Sequence, residues 1–283
     1  MKLIVLLRSF TMQRALLYAL LSSSVFLSGC IIATPSPSNG QPAAYGSGVG
    51  YINGAITVGP MNGMPSLESR GVKKLALIFE TEPFLSFDTV GLTVFGNDSY
   101  KSDIPVIAEP ELRAIFIDQF TRLSSIGLID ITSDKATIQA HQKFNTWNGK
   151  ASLQSAPDLD AKLTQLRAEG IDGILFVKEC RYGDFIGMTD KVIGAKGLYH
   201  RFKFVCACDG FWTWIIDLKT LKEMPHTSYT QAMSQQTENI PWKESFADYS
   251  PDERAAIAEA VRGVFRANVS QMVTMLKAQK SSP

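Results

Sequence analysis

The sequence predicts an α/β protein built on a single mixed β-sheet with helices packed on it. Three observations carry that expectation. Two runs, 72–79 and 171–178, are apolar almost without interruption, as strands covered on both faces are. Between them the apolar spacing turns helical after Glu109 and again after Asp158, and an order of strand, helix, strand, helix, strand favours parallel pairing with helices laid across the sheet. Finally, every even position from Phe202 to Leu218 is apolar or Gly, including Cys206, Cys208, Trp212 and Trp214, which reads as one long strand.

In chain order, residues 1–29 carry Lys2, Arg8 and Arg14 but no acid, then an apolar run from Ala15 to Leu21 and small residues up to Gly29. This is the pattern of a signal peptide, too short for a spanning helix. Leu27-Ser28-Gly29-Cys30 matches the bacterial lipobox, in which cleavage precedes a cysteine that then carries acyl chains. Cys30 is therefore the expected lipidation site, and Ile31 in place of Asp after it implies the outer membrane, with the domain in the periplasm. Residues 30–71 read as a lipidated, flexible tether rich in Gly, Ser, Pro and Ala. Gly46-Ser47-Gly48-Val49-Gly50 lacks the Lys-Ser/Thr ending of a phosphate loop and is read as part of that linker.

The folded domain is expected over 72–280. After its first strand come an extended stretch at 90–95 and a helix from Glu109, with Leu112, Phe116, Phe120 and Leu123 on one face and Gly127 as its stop. A short strand at 128–131 follows, then a helix capped by Ser133 or Asp134 and running toward Phe144, then an irregular segment at 145–156. The next helix turns Leu159, Leu163 and Leu166 inward and stops at Gly170. Asp209-Gly210 invites a hairpin turn, but a turn there would break the even face, so a bulge at Gly210 and a turn at 219–222 fit better. A returning strand is expected over 223–231. Ser250-Pro251-Asp252-Glu253 forms a capping box ahead of a stripe of Ile257, Val261, Val264, Phe265, Met272 and Leu276.

Charge and composition restrict function. The chain has 28 Lys+Arg and 27 Asp+Glu, a net +1, which argues against a nucleic-acid partner. Removing 29 residues with three basic side chains leaves 25 basic and 27 acidic, a net of −2. His141, His200 and His226 are far apart, no paired metal-ligand motif occurs, and no Gly-x-Ser-x-Gly elbow is present. No cofactor or metal is therefore expected. Cys206 and Cys208 read as packed thiols or, with Cys180, as a candidate disulfide in an oxidising compartment. Glu179, Arg181, Asp184 and His200 flank one strand end and are either solvated loop charges or the makings of a hydrolase site. The Gly-rich stretch 181–199 also carries Tyr182, Phe185, Ile186, Met188, Ile193 and Tyr199, either folded back on the core or forming a partner or membrane contact.

The lipobox, the Gly/Pro tether and the order of elements from 72 to the helix at Pro251 together resemble a group of bacterial envelope lipoproteins. They are the curli-export channel lipoprotein, the amino-terminal domain of TolB and the penicillin-binding-protein activator lipoproteins. The resemblance implies a β-α-β-α-β-β-β-α domain similar to anticodon-binding domains. In the curli channel a membrane-spanning hairpin enters where this sequence has 181–199, although this stretch alternates poorly for such a hairpin. The expectation is a non-enzymatic outer-membrane lipoprotein that binds an envelope protein partner in assembly, activation or export. The alternatives are a homo-oligomeric export-channel subunit of the curli type and a periplasmic hydrolase.

Overall fold

The computed structural model describes residues 49–52, 55–58, 66–89, 98–144, 150–179, 196–201, 204–224, 228–233 and 240–277, all within one compact unit, Pro42–Pro283. Residues 1–29, read as a signal peptide, Cys30, the stretch 90–95 expected to be extended, Cys180 and residues 181–195 lie outside the described residues.

The strands are β1 (Val49–Ile52), β2 (Ala55–Val58), β3 (Lys74–Glu80), β4 (Ser86–Thr89), β5 (Asp98–Lys101), β6 (Gly127–Asp130), β7 (Gln142–Phe144), β8 (Ala151–Leu153), β9 (Gly173–Glu179), β10 (Lys196–Arg201), β11 (Phe204–Asp217) and β12 (Ser228–Met233). The helices are α1 (Glu109–Leu123), α2 (Lys135–Ala140), α3 (Pro157–Ala168) and α4 (Pro251–Lys277). Ten of the strands form one mixed sheet, while β7 and β8 make a separate hairpin.

The 14-residue strand β11 organises that sheet. On one edge it pairs with β12, which continues through β2 to β1. On the other edge lie two strands end to end: β9 pairs with residues 211–217 and β10 with residues 204–209, both antiparallel. The next row repeats the arrangement, with β3 parallel to β9 and β4 parallel to β10. β6 then pairs with β3, and β5 with β4. Two consecutive rows are thus broken at the same level, between Glu80 and Ser86 and between Glu179 and Lys196.

Both faces of the sheet are covered. On one side α1 and α4 bury Phe116, Phe120, Ile257, Val261, Phe265 and Met272 against Phe79, Leu77, Val177 and Phe211. On the other, α2, α3 and β8 bury Ile138, Leu159, Leu163 and Leu166 against Ala76, Ile174, Phe176 and Ile216. Each large apolar side chain so buried contributes about 1.5–3 kcal/mol.

The mixed α/β class agrees with the sequence, and several local expectations need correcting. The tether does not run to 71: β1 and β2 form a hairpin within it, and Leu67 is fully buried with its N–H on the Leu276 carbonyl, 3.4 Å. Helix α1 ends at Ser124 in extended conformation, so Gly127 opens β6 beside Lys74 instead of stopping the helix. The helix toward Phe144 lasts only from Lys135 to Ala140, because the chain then pairs as β7 with β8, which lies inside the segment expected to be irregular. Gly210 makes no bulge: the register of β11 with β12 runs unbroken from Cys208 to Thr213. Gly170 does terminate α3, with φ +74.

The capping box forms as read. The Ser250 Oγ accepts from the Glu253 N–H at 3.3 Å, and the Glu253 carboxylate accepts from the Ser250 N–H at 2.7 Å. Lys243 adds an ion pair to Glu253 at 2.6 Å. Ser250→Ala is expected to lower the stability of the protein by about 1 kcal/mol, read as a shift of the denaturant midpoint with an unchanged slope.

Candidate functional site

The break in the two strand rows is where the domain keeps its buried polar groups. Lys196 opens β10 with 1% of its side chain exposed, and its ammonium meets the Glu179 carboxylate across the break at 2.5 Å. The same ammonium donates to the Glu82 carbonyl, and the Glu82 N–H donates to Glu179 at 2.8 Å. Glu82 in turn pairs with Lys101 on β5. One ion pair thus closes the interruption between β9 and β10 and ties it to the interruption between β3 and β4.

Asp209 is the register partner of Lys196 and lies on the α4 side of the sheet. It is buried, and Asn268 of α4 donates to its carboxylate at 2.7 Å and to its carbonyl at 3.3 Å. Burial pushes the Asp209 carboxyl up to about 7, while Asn268 and then Lys196 pull it down and Glu179 pushes it up. On the opposite face, Asp88 of β4 is buried and accepts from the Ser86 hydroxyl at 2.9 Å and the Ser99 hydroxyl at 2.5 Å. The Ser86 hydroxyl also donates to the Lys196 carbonyl at 3.2 Å. Gly197 is required between these rows: its φ is +149, and a Cβ there would stand 1.8 Å from the Ser86 carbonyl oxygen.

Of the four residues read as a candidate hydrolase cluster, the structure places two and does not bring them together. Glu179 is engaged by Lys196, whereas His200 lies four residues further along β10 and stacks on Trp242, ring centroids 4.9 Å apart. Arg181 and Asp184 lie outside the described residues. Cys206 and Cys208 are buried thiols two residues apart on one face of β11. Burial, then the charges of Asp88 and Asp209, push the Cys208 thiol well above its ordinary range, so its thiolate is disfavoured. Of the expected partner-contact residues, Tyr199 belongs to β10 and not to a loop, opposite Cys206 and Asp88. Tyr182, Phe185, Ile186, Met188 and Ile193 are outside the described residues. Among the described residues there is no group of three or more His, Cys, Asp and Glu able to hold a metal, and no helix long and apolar enough to cross a membrane.

Sequence reasoning missed Lys196, Asp209, Asn268 and the Asp88–Ser86–Ser99 cluster. A charge inside an apolar run was the available signal for Asp209, between Cys208 and Phe211. Lys196 sits in a Gly-rich stretch and gave none.

No protein-family model and no curated protein matches the chain. Among solved structures it is similar to a PelC dodecamer from Paraburkholderia phytofirmans in space group P6, with 12% identity over 80% of this chain and 98% of that one and a TM-score of 0.35. A single-substitution form of that dodecamer, in space group C2, gives 10% identity, the same coverage and a TM-score of 0.34. Likeness at this level does not establish a shared fold.

Two outcomes follow from the buried cluster. Because the Asp209 carboxyl lies higher in the folded protein than its ordinary 3.8, the folded state holds a proton that the unfolded state has lost between pH 4 and 7. Stability from this group is full below about pH 4 and is lost as pH rises through about 7, by up to roughly 4 kcal/mol. Carboxylates held low, such as Glu253 beside Lys243, act in the opposite sense as pH falls. The contribution of Asp209 is therefore read as the difference between wild type and Asp209→Asn, the variant gaining relative stability from pH 4 to 8 in urea titrations. Separately, Lys196→Met leaves Glu179 without its cation and costs about 3 kcal/mol, part of which Lys196→Met combined with Glu179→Gln restores.

Proposed function

We propose that this protein is a lipid-anchored component of the bacterial outer membrane whose periplasmic α/β domain binds an envelope protein partner in assembly, activation or export, without catalysing a reaction. The observation that carries the proposal is Leu27-Ser28-Gly29-Cys30, placed directly after a basic segment and an apolar run. Acyl chains on Cys30 contribute about 0.8 kcal/mol per buried CH₂ group, and together they hold the domain at the bilayer essentially permanently.

The geometry supports a binding role over a catalytic one. Lys196 pairs with Glu179, Asn268 donates to Asp209, and Asp88 accepts from two hydroxyls. Groups so engaged hold strands in register. The alternative is an oligomeric export-channel subunit of the curli type: among the described residues β1 stands at one edge of the sheet and β5 and β6 at the other, and strand edges can accept a strand from another copy. Sedimentation of the detergent-extracted protein separates the two forms.

For the anchor, Cys30→Ala is expected to accumulate as the unprocessed precursor and to take up no labelled palmitate in growing cells. Normal labelling of that variant would remove the basis of the proposal.

A further inference from the structure

We propose that the outer face of the β7–β8 hairpin, together with the turn that follows β11, rests on anionic phospholipid headgroups of the bilayer that holds Cys30. The inference deepens the reading above and rests on the acylation of Cys30.

The hairpin lies against the domain by one face. Ser152 of β8 bridges to Lys222, and the next residue, Glu223, bridges to Ile216 of β11. Ala151 and Leu153 are buried in the core on the α2/α3 side, so Ser152 between them points outward. Directly paired residues share a face, and Ser152 pairs with Lys143 on one side and with Lys222 on the other. Two strand spacings set these lysines about 10 Å apart. Both are exposed, as are Lys150 just before β8 and Lys219 in the turn after β11. Phe144 stands at the end of β7, edge-on to Trp214 with ring centroids 6.0 Å apart, and remains 55% exposed.

Charge selects the occupant. Lys162, Lys178 and Lys196 each meet a carboxylate, whereas Lys143, Lys219 and Lys222 have no acidic ion-pair partner among the described residues. No Asp or Glu occurs from His141 to Pro157. The acids beside the turn bind backbone: Asp217 accepts from the Lys219 N–H at 2.6 Å and the Thr220 N–H at 3.3 Å, and Glu223 from the Ala151 N–H at 2.6 Å. The patch is therefore basic and favours an anionic surface. Two further features make that surface the bilayer. The eighteen residues 31–48 keep Val49 within about 65 Å of Cys30 even when fully extended. They lead into β1, which joins β11 through β2 and β12 on the edge opposite β9, the same edge that carries the hairpin through Glu223. An exposed aromatic ring beside lysines also suits the headgroup boundary, where the ring meets apolar surface and the ammonium groups meet phosphate.

The test uses the full-length lipidated protein in vesicles of phosphatidylcholine, alone or mixed with phosphatidylglycerol. A benzoylphenylalanine photoprobe replaces Phe144 or, as a second reporter, the exposed Thr220, with the exposed Arg122 of α1 as the control position. In the anionic vesicles, lipid adducts are expected at both reporter positions at several times the level at Arg122, and near that level in phosphatidylcholine alone. Lys143→Gln and Lys222→Gln are each expected to lower the adduct about fivefold, the change one lysine makes to binding at an anionic surface, while Lys143→Arg with Lys222→Arg retains it. Adducts to a second copy, no excess over Arg122, or an excess that persists in phosphatidylcholine alone or after both Gln substitutions would each overturn the inference. The mass of the N-terminal peptide, read on the same sample, separates the two failures: an unacylated Cys30 sinks the anchor reading and this contact with it, while an acylated Cys30 without excess lipid adducts sinks the contact alone.

Discussion

The domain depends on one long ladder. β11 is 14 residues long, and its partner edge is supplied in two pieces, β9 and β10, that must meet end to end. A strand interrupted opposite a continuous one loses the covalent continuity that keeps register, and a slip of one residue would turn every side chain to the wrong face. The ion pair between Glu179 and Lys196 spans that interruption, one charge from each piece. Its geometry is satisfied only when β9 ends and β10 begins at the observed positions.

Buried ion pairs are poor sources of stability, because removing both charges from water offsets most of their attraction. What this pair supplies is alignment. The second broken row is fixed by the same groups, through Glu82 on one side and through the close approach of Gly197 to Ser86 on the other. Asp209 completes the arrangement beneath α4. With Asp209 protonated, Lys196 and Glu179 stand as one cation against one anion, whereas its ionised form adds a negative charge beside them. Asn268, on a helix that also buries Phe265 and Met272 in the main core, is the donor that makes either form tolerable.

This architecture separates structural chemistry from the surfaces left for recognition. The buried charges serve the sheet, and the aromatic cluster of Phe87, Tyr100, Phe246 and Tyr249 closes one end of the core. Tyr100 donates its hydroxyl to the Lys243 carbonyl at 2.7 Å, and burial raises its phenol further above its ordinary value. That ring is a packing element, kept neutral.

Much of the fold was legible because it is written in local periodicity. The stripe from Ile257 to Leu276, the capping box at Ser250, the Gly170 stop and the unbroken even face of β11 each need only a few neighbouring residues to specify them. What the sequence could not show is that the odd face of β11 is buried as well, which turns Asp209 and Thr213 from apparent surface residues into core ones. Nor could it show that two pairs of strands lie in line. Those facts rest on contacts between residues far apart in the chain: Glu179 with Lys196 at a separation of 17, Asp209 with Asn268 at 59, Ser86 with Lys196 at 110. By itself the sequence determined the class of fold and the helix faces, since each follows from spacing within one segment. The tertiary structure alone decided where the charges are buried and what they align, because burial and pairing are set by which distant segments come to lie side by side.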